Sequence, residues 1–253
     1  MKLLLIDVGN TQTVVGLDDG DKVDTWRLST QGSRTADEYR LLLASLLAGA
    51  ADGIEGAALS SVVPPATVAL RSAIAGVVGV DPVVVGPGTR TAMSLRVDNP
   101  REVGADRIVN ALGAIARFGA PVVTVDFGTA TTVDLVGAEG EYRGGAIAPG
   151  LTIAADALVR STAALRRVDV VAPAHAAGHN TVEAIQSGLV FGYAGLVDGL
   201  VGRILAEFGH AEVPLVATGG LAEVVVPHCT YAITLDPQLT LRGLRVVWER
   251  NRV

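Results

Sequence analysis

Cysteine and lysine are both scarce in this chain of 253 residues. Cys229 is the one cysteine, which excludes an internal disulfide and a cysteine-based zinc site and leads us to expect a reducing cytoplasm. Of the 20 Lys and Arg residues only Lys2 and Lys22 are lysines, and neither follows a Gly-rich loop. The chain therefore lacks a P-loop, G-x-x-x-x-G-K-[ST], and any ATP would be bound without a lysine on its phosphates.

Long apolar runs and basic clusters are missing as well. Gly, Pro or a charge breaks each apolar stretch before it reaches membrane-spanning length, and Asp7 interrupts the first one too early for a secretory signal. The net charge is −6 and the longest basic cluster is Arg166-Arg167, so we expect neither a membrane nor a nucleic acid as partner. An apolar content of 49% with 18% charged residues predicts a globular protein with a sizeable core.

Apolar strand patterns alternate with helical patterns, which predicts an α/β fold. We predict strands within residues 2–28 and at 57–63, 83–85, 122–126, 131–136, 142–147 and 213–218, and helices at 36–50, 66–78, 104–118, 151–160, 182–208 and from 239 onward. The β-β-β-α-β-α-β order of the first half resembles a ribonuclease-H-like fold. We therefore divide the chain into an N-terminal half, residues 1–118, and a C-terminal half, residues 119–253.

Two segments look like copies of one sequence motif, namely Asp7–Leu17 and Asp126–Val136. Each follows an apolar run and reads Asp-x-Gly-x-x-x-Thr before a second strand. Such a sequence predicts a tight hairpin whose backbone N–H groups can hold phosphate oxygens, while the Asp holds a hydrated cation. Two copies predict a duplicated fold with a nucleotide phosphate tail clamped in a cleft between the halves.

In the first hairpin we expect Asp7 to coordinate Mg²⁺ indirectly, through water. Asn10, Thr11 and Thr13 would lie near the β- and γ-phosphates. In the second hairpin we assign Thr129 to a phosphate and Asp126 to a second cation. Turn chemistry is the structural alternative for a single Asp-x-Gly motif, and the second copy favours phosphate binding over it. For the remaining hydroxyls, Thr131 and Thr132, β-propensity is the favoured explanation.

Four further segments carry polar residues at predicted element ends. In Val103–Arg107, Asp106 would act as a general base and Arg107 would hold an anion, against the alternative of a helix cap and a solvent-facing Arg. The pair Gly219-Gly220 would let an adenine ring lie against the backbone, with simple turn chemistry as a strong alternative. Thr35 would cap the helix at 36–50, and Asn180 or Thr181 would cap the long helix.

Taken together, these residues resemble type III pantothenate kinases, a family with the duplicated ribonuclease-H-like (actin-like ATPase) fold. The resemblance covers nearly the whole chain and rests on Asp7-x-Gly9-Asn10-Thr11, Asn99-Pro100-x-Glu102-Val103-Gly104-Ala105-Asp106-Arg107, Asp126-x-Gly128-Thr129-Ala130-Thr131-Thr132, Gly144-Gly145-x-Ile147-x-Pro149-Gly150 and Asn180-Thr181. It implies ATP-dependent phosphorylation of pantothenate, with Mg²⁺ and a monovalent cation, K⁺ or NH₄⁺.

By matching position, the resemblance also implies a role for individual residues. Asp7, Gly9, Asn10, Thr11, Thr13 and Thr129 would bind ATP, Asp106 would accept the proton, Asp126 would ligate the monovalent cation, and Gly104, Ala105, Asp106, Arg107 and Thr181 would bind pantothenate. The family is a homodimer in which Thr181 reaches the substrate of the partner chain. One position departs from the pattern, since Val97 stands where the family often has a Tyr that lines the pantothenate pocket.

Two other functions remain open on the same residues. One is a phosphatase of the polyphosphate or guanosine-pentaphosphate type, which would release phosphate without an acceptor alcohol. The other is a non-catalytic regulatory accessory protein, which should carry a basic patch or a helix-turn-helix, and the sequence shows neither. Release of ADP that depends on pantothenate separates the kinase from both.

Overall fold

The computed structural model describes residues 1–161, 167–209 and 212–252. In chain order the elements are β1 (Lys2–Val8), β2 (Gln12–Asp18), β3 (Val23–Ser29), α1 (Ala36–Leu46), β4 (Ile54–Ser61), α2 (Pro64–Val78), β5 (Val83–Val84), a 3-10 helix (Pro100–Glu102), α3 (Ala105–Phe118), β6 (Val122–Phe127), β7 (Ala130–Val136), β8 (Tyr142–Pro149), α4 (Leu151–Ser161), α5 (Thr181–Phe208), β9 (Leu215–Thr218), α6 (Ala222–Val225), a second 3-10 helix (Val226–His228), β10 (Thr234–Leu235) and α7 (Leu239–Asn251). The predicted α/β class is confirmed.

Contacts between residues divide the chain into two compact units. Unit 1 comprises Met1–Met93, Asp98–Ala116 and Leu239–Val253, and unit 2 comprises Ser94–Val97 and Arg117–Gln238. Each unit contains one five-stranded sheet, in the order β3-β2-β1-β4-β5 in unit 1 and β10-β9-β6-β7-β8 in unit 2. When the second order is read backwards, the central strand, the antiparallel hairpins and the parallel strands occupy the same places in both sheets. The predicted repeat is therefore present in the strand order and pairing.

In unit 1 the alternation along β1 decides which face is covered by α1 and α2. Leu4, Ile6 and Val8 are buried in one apolar cluster with residues of these two helices. The predicted cap of α1 is confirmed, because Thr35 accepts a hydrogen bond from Glu38 N at 3.3 Å and donates its own N–H to Glu38 Oε2 at 2.7 Å. This capping box holds the pKa of Glu38 below its ordinary value.

The C-terminal helix α7 packs within unit 1, whereas the division at residues 118/119 assigned it to the second half. The cause is close packing through glycine. A Cβ atom on Gly243 would overlap the carbonyl oxygen of Val109 on α3, and one on Gly56 would overlap the indole ring of Trp248. Helix α7 can therefore lie directly against α3 and β4.

In unit 2 the core lies between the sheet and the long helix α5. Val123, Val125 and Phe127 of β6 are buried against residues of α5 such as Val197 and Val201. Among the described residues, α5 is the one helix whose length and composition would allow it to cross a membrane, a property it shares with core helices of soluble proteins. Its apolar residues do extend around the helix, so part of this surface remains outside the core.

Candidate active site

The first predicted phosphate hairpin joins β1 and β2 in unit 1. Asp7 is the last but one residue of β1 and is half-buried. The turn is closed by a hydrogen bond of 2.9 Å from Gly9 N to the carbonyl oxygen of Gln12. Asn10 and Thr11 are exposed at its tip. The structure therefore brings these four predicted ATP-binding residues together in one short turn.

Thr13 lies on β2 behind this turn and is fully buried. Its hydroxyl shares a hydrogen bond of 2.9 Å with the hydroxyl of Thr30, and Thr30 N donates to the carbonyl oxygen of Thr11 at 3.0 Å. Thr13 thus supports the turn from inside the fold. Its predicted contact with a phosphate stays a prediction.

The second hairpin joins β6 and β7 in unit 2 and is one residue shorter. Gly128 N donates to the carbonyl oxygen of Ala130 at 3.1 Å, and Phe127 pairs with Thr131. In the first hairpin Val8 pairs with Thr13. The counterpart of Thr13 is therefore Thr131, one residue earlier than the shared Asp-x-Gly-x-x-x-Thr spacing indicates.

Because of this difference, the hydroxyl of Thr131 has, among the described residues, no counterpart of the hydrogen bond that Thr13 makes with Thr30 in unit 1. Thr129 is half-buried, and its carbonyl oxygen accepts a hydrogen bond of 3.1 Å from Gly150 N, just as Thr11 accepts one from Thr30. Gly150 offers no hydroxyl, and a Cβ atom on it would overlap the carbonyl oxygen of Thr129. Thr131 Oγ1 is consequently buried and has no hydrogen-bond partner within the described part of the chain.

Asp126 lies in a cradle formed by glycine backbone. Gly219 follows β9 with φ +97°, and a Cβ atom on it would lie 2.6 Å from Asp126 Oδ1 and 2.6 Å from Phe127 N. A Cβ atom on Gly128 would lie 3.4 Å from the same carboxylate oxygen. The carboxylate thus lies against main chain on two sides. The sequence indicated Gly219 only as an adenine contact, which stays a prediction, and its closeness to Asp126 was not foreseen.

The segment predicted to carry the general base lies at the start of α3. Asp106 is half-buried, and its Oδ1 accepts a hydrogen bond of 2.8 Å from Arg107 N. A Cβ atom on Gly104 would overlap this Oδ1, so the carboxylate folds back over the glycine. Gly104 was predicted to bind pantothenate, and the group nearest to a Cβ atom at this position is the side chain of Asp106. Ala105 and Arg107 are half-buried beside it.

The preceding Asn-Pro-x-Glu motif has a local structural explanation. Asn99 caps the 3-10 helix by accepting a hydrogen bond of 3.3 Å from Arg101 N, and its amide donates to Glu102 Oε1 at 2.6 Å. Pro100 occupies the first helical position, where no N–H is needed. These residues lead into Gly104 with a defined geometry.

The other two predicted substrate residues lie in unit 2. Val97 is half-buried, and its Cγ1 lies 3.7 Å from the point where a Cβ atom on Gly144 would lie. Thr181 is the exposed first residue of α5. Of the two predicted caps of this helix, Asn180 is the one observed, and its side chain accepts a hydrogen bond of 3.0 Å from Glu183 N.

Within residues 1–161, 167–209 and 212–252 there is no group of three or more His, Cys, Asp or Glu side chains that could hold a metal. A single carboxylate such as Asp7 suits Mg²⁺, which keeps several of its waters.

Both lysines bind groups within unit 1, Lys2 the carbonyl oxygen of Asp52 at 3.1 Å and Lys22 the carboxylate of Asp24 at 2.5 Å.

Known structures with the same fold include phosphotransferases. A conserved putative Baf family transcriptional activator from Campylobacter jejuni matches with a TM-score of 0.63 and 18% identity over 98% of both chains. A ROK family glucokinase from Streptomyces griseus, solved in complex with glucose and AMPPNP, matches with a TM-score of 0.54 and 14% identity over 98% of both chains. At these identities the likeness concerns the fold alone, and it confirms the predicted duplicated ribonuclease-H-like fold.

Sequence comparison is more specific. The chain is 49% identical to the type III pantothenate kinase of Pelobacter propionicus over 99% of this chain and 100% of the relative. It is 48% identical to that of Geobacter sulfurreducens over 99% of both chains, and 48% identical to that of Streptomyces coelicolor over 98% of both. The profile of the type III pantothenate kinase family matches residues 3–203, which include both hairpins and the start of α3. The chain therefore belongs to the type III pantothenate kinase family.

Proposed function

We propose that this protein is an ATP-dependent kinase that transfers the γ-phosphoryl group of ATP to the primary hydroxyl of pantothenate, the first step of coenzyme A synthesis. The observation that carries this proposal is the family match over residues 3–203. The relatives cited above, all named type III pantothenate kinase, align along almost their full length. The site residues below are proposed from the resemblance, with support from their local geometry.

Phosphate binding is proposed at the two hairpins. The exposed tip with Asn10 and Thr11 presents backbone and side-chain groups beside the half-buried Asp7. In unit 2, Thr129 occupies the corresponding place, with its carbonyl oxygen already bound to Gly150 N. Phosphoryl transfer needs in-line positioning and charge neutralisation more than covalent chemistry, and rigid turns serve both.

The cations are proposed at the two hairpin carboxylates. Asp7 would hold Mg²⁺ through water, and Asp126 would hold K⁺ or NH₄⁺. The cradle around Asp126 supports this, since Gly219 and Gly128 leave carboxylate and main chain free of side-chain bulk. When bound, these cations supply the positive charge that a lysine supplies on phosphates in other kinases.

Asp106 is proposed as the proton acceptor for the pantothenate hydroxyl. Its Oδ1 is held by Arg107 N, which orients the carboxylate at the start of α3. A carboxylate fixed by one oxygen can still accept a hydrogen bond at the other. Gly104, Ala105 and Arg107 in the same segment, and Val97 of unit 2, are proposed as pantothenate-binding residues.

A homodimer is proposed through α5, with Thr181 reaching the partner's substrate. Cβ atoms added at Gly188, Gly192 or Gly195 would meet nothing within 4 Å, so this stripe of α5 is open in the single chain. Ile147 of the edge strand β8 is 65% exposed, and residues 146–148 line a surface depression together with Gly195 and Leu196 of α5. Open small residues beside exposed apolar ones suit close packing of a second copy. We place the enzyme in the cytoplasm, as the single cysteine suggests.

Purified protein with ATP, Mg²⁺ and pantothenate, with and without K⁺, tests the proposal. We expect ADP release that requires pantothenate and increases with K⁺. Phosphate release without pantothenate, from ATP or from polyphosphate, would instead identify the phosphatase. Absence of both activities, with ATP binding intact by calorimetry, would favour the accessory protein.

A further inference from the structure

The segment that carries Val97 is attached to the edge of the unit 2 sheet. Leu95 forms a parallel bridge with Tyr142, the first residue of β8. Tyr142 N donates to the carbonyl oxygen of Ser94 at 2.8 Å, and Arg96 N donates to the carbonyl oxygen of Tyr142 at 2.8 Å. Both backbone groups of Tyr142 therefore bind this segment, and the position of Tyr142 decides where residues 94–97 lie.

Tyr142 is itself anchored by a buried carboxylate. Its side chain is 1% exposed, and its hydroxyl donates a hydrogen bond of 2.7 Å to Oδ1 of Asp134, which is also 1% exposed. A carboxylate this deeply buried is rare, because removing it from water is unfavourable unless hydrogen bonds compensate. Burial of this pair is therefore costly in free energy, and the roles proposed for the proton-transfer and phosphate-binding residues do not account for it.

Two glycines of β8 make room for this arrangement. A Cβ atom on Gly145 would lie 2.6 Å from Asp134 Oδ1, the oxygen that accepts from Tyr142. The adjacent Gly144, at φ +104°, lies under the side chain of Val97. Asp134, Tyr142, the glycine pair and Val97 therefore form one contiguous contact path within unit 2.

We propose that the Asp134–Tyr142 pair positions Val97 for pantothenate, so that both residues are positioning residues for substrate specificity. Neither touches the reacting atoms, and they act through the backbone of residues 94–97. The inference rests on the proposed function, since it takes Val97 as part of the pantothenate pocket. A purely structural role predicts a loss of stability alone, whereas positioning predicts a selective loss of pantothenate affinity.

The Tyr142→Phe variant removes the hydroxyl and keeps the ring. We expect the KM for pantothenate to rise roughly fivefold, the fold-change of one net hydrogen bond. The kcat and the KM for ATP should stay within about twofold of the wild type, because neither hairpin is displaced. Hydrogen–deuterium exchange should show faster exchange of the Arg96 amide, which donates to Tyr142.

Tyr193→Phe is the matched control, because the Tyr193 hydroxyl also makes a 2.7 Å hydrogen bond in unit 2, to the carbonyl oxygen of Pro149, and its ring lies in the core cluster of that unit. It should lower the Tm without raising the KM for pantothenate. Asp134→Asn keeps an acceptor oxygen, so its KM for pantothenate should stay nearly normal. Asp134→Ala removes the acceptor and should raise this KM as Tyr142→Phe does. If Tyr142→Phe does not fold, this Asn and Ala pair provides the same comparison.

Two outcomes are decisive and distinguishable. An active wild type whose pantothenate KM is the same in Tyr142→Phe and Tyr193→Phe would overturn the positioning role and leave the kinase proposal standing. A wild type without pantothenate-dependent ADP release would overturn the proposed function, and with it the positioning role. The exchange rate of the Arg96 amide would not change that conclusion.

Discussion

Replacing Gly219 by Ala tests the cradle around Asp126 directly. Two effects add at this position. The φ of +97° lies in a region that residues with a side chain rarely adopt, which costs about 1–3 kcal/mol. The new Cβ atom would also lie 2.6 Å from Asp126 Oδ1 and from the backbone of Phe127, and an overpacked site costs about 1–3 kcal/mol. We therefore expect the free energy of unfolding to fall by at least about 2 kcal/mol.

The neighbouring glycine supplies a control of the same chemistry. A Cβ atom on Gly220 would meet nothing within 4 Å. Gly220→Ala should therefore change the free energy of unfolding by no more than about 0.5 kcal/mol, like other surface substitutions. Urea unfolding followed by circular dichroism measures both variants under one condition.

Activity supplies the second measurement. Because Asp126 Oδ1 would have to move away from the new methyl group, Gly219→Ala should raise the K⁺ concentration needed for half-maximal activity and the KM for ATP. Gly220→Ala should leave the K⁺ requirement near the wild-type value, because a Cβ atom there does not approach Asp126. Equal stability and equal K⁺ dependence in the two alanine variants would refute both the cradle and the assignment of a cation to Asp126.

Four other predictions concern separate parts of the chain. Asp106→Asn should lower kcat by roughly 10² or more while calorimetry shows ATP binding largely kept, and an unchanged kcat would remove Asp106 from the catalytic role. Val97→Tyr should lower the KM for pantothenate if the family's phenol contact is the missing one, and an unchanged KM would show that the contact is supplied elsewhere. Gly192→Glu, on the open stripe of α5, should yield a folded monomer by sedimentation velocity, whereas a wild type that is already monomeric would contradict the proposed dimer. Burial, with a smaller effect of the Asp198 charge, raises the pKa of the Cys229 thiol to about 11. At pH 8 iodoacetamide should therefore alkylate native Cys229 about a hundredfold more slowly than the unfolded chain, since only the thiolate reacts, and equal rates would refute its burial.

Features that depend on neighbours along the chain were predicted well from the sequence. The caps at Thr35 and Asn180 each accept a hydrogen bond from the residue three positions later, so the residue types alone indicate the bond. The two hairpins are local in the same sense, since one strand, one turn and the next strand follow directly. The exact length of the second turn was missed, because Thr131 and Thr132 are equally good strand residues and only the pairing of Phe127 distinguishes them.

The buried face of α5 shows where a local pattern becomes insufficient. Of five apolar residues spaced along α5, Ile185, Leu189, Leu196, Leu200 and Ile204, only Leu189 is buried, while Leu196, Leu200 and Ile204 are partly buried against the core. The face in the core instead carries residues such as Val190 and Val197. When apolar residues surround a helix, periodicity does not select one side, and the sheet that packs against it does.

The residues of this chain by themselves determined its class, the repeated carboxylate hairpins and the family to which it belongs, because each of these is written in short segments. Only tertiary structure decided that Gly219 approaches Asp126, that Gly243 seats α7 in unit 1, and that Asp134 holds Tyr142. The physical reason is the same in each case. Close approach of backbone and burial of polar groups depend on which distant segments meet, and no local pattern of residue types encodes that meeting.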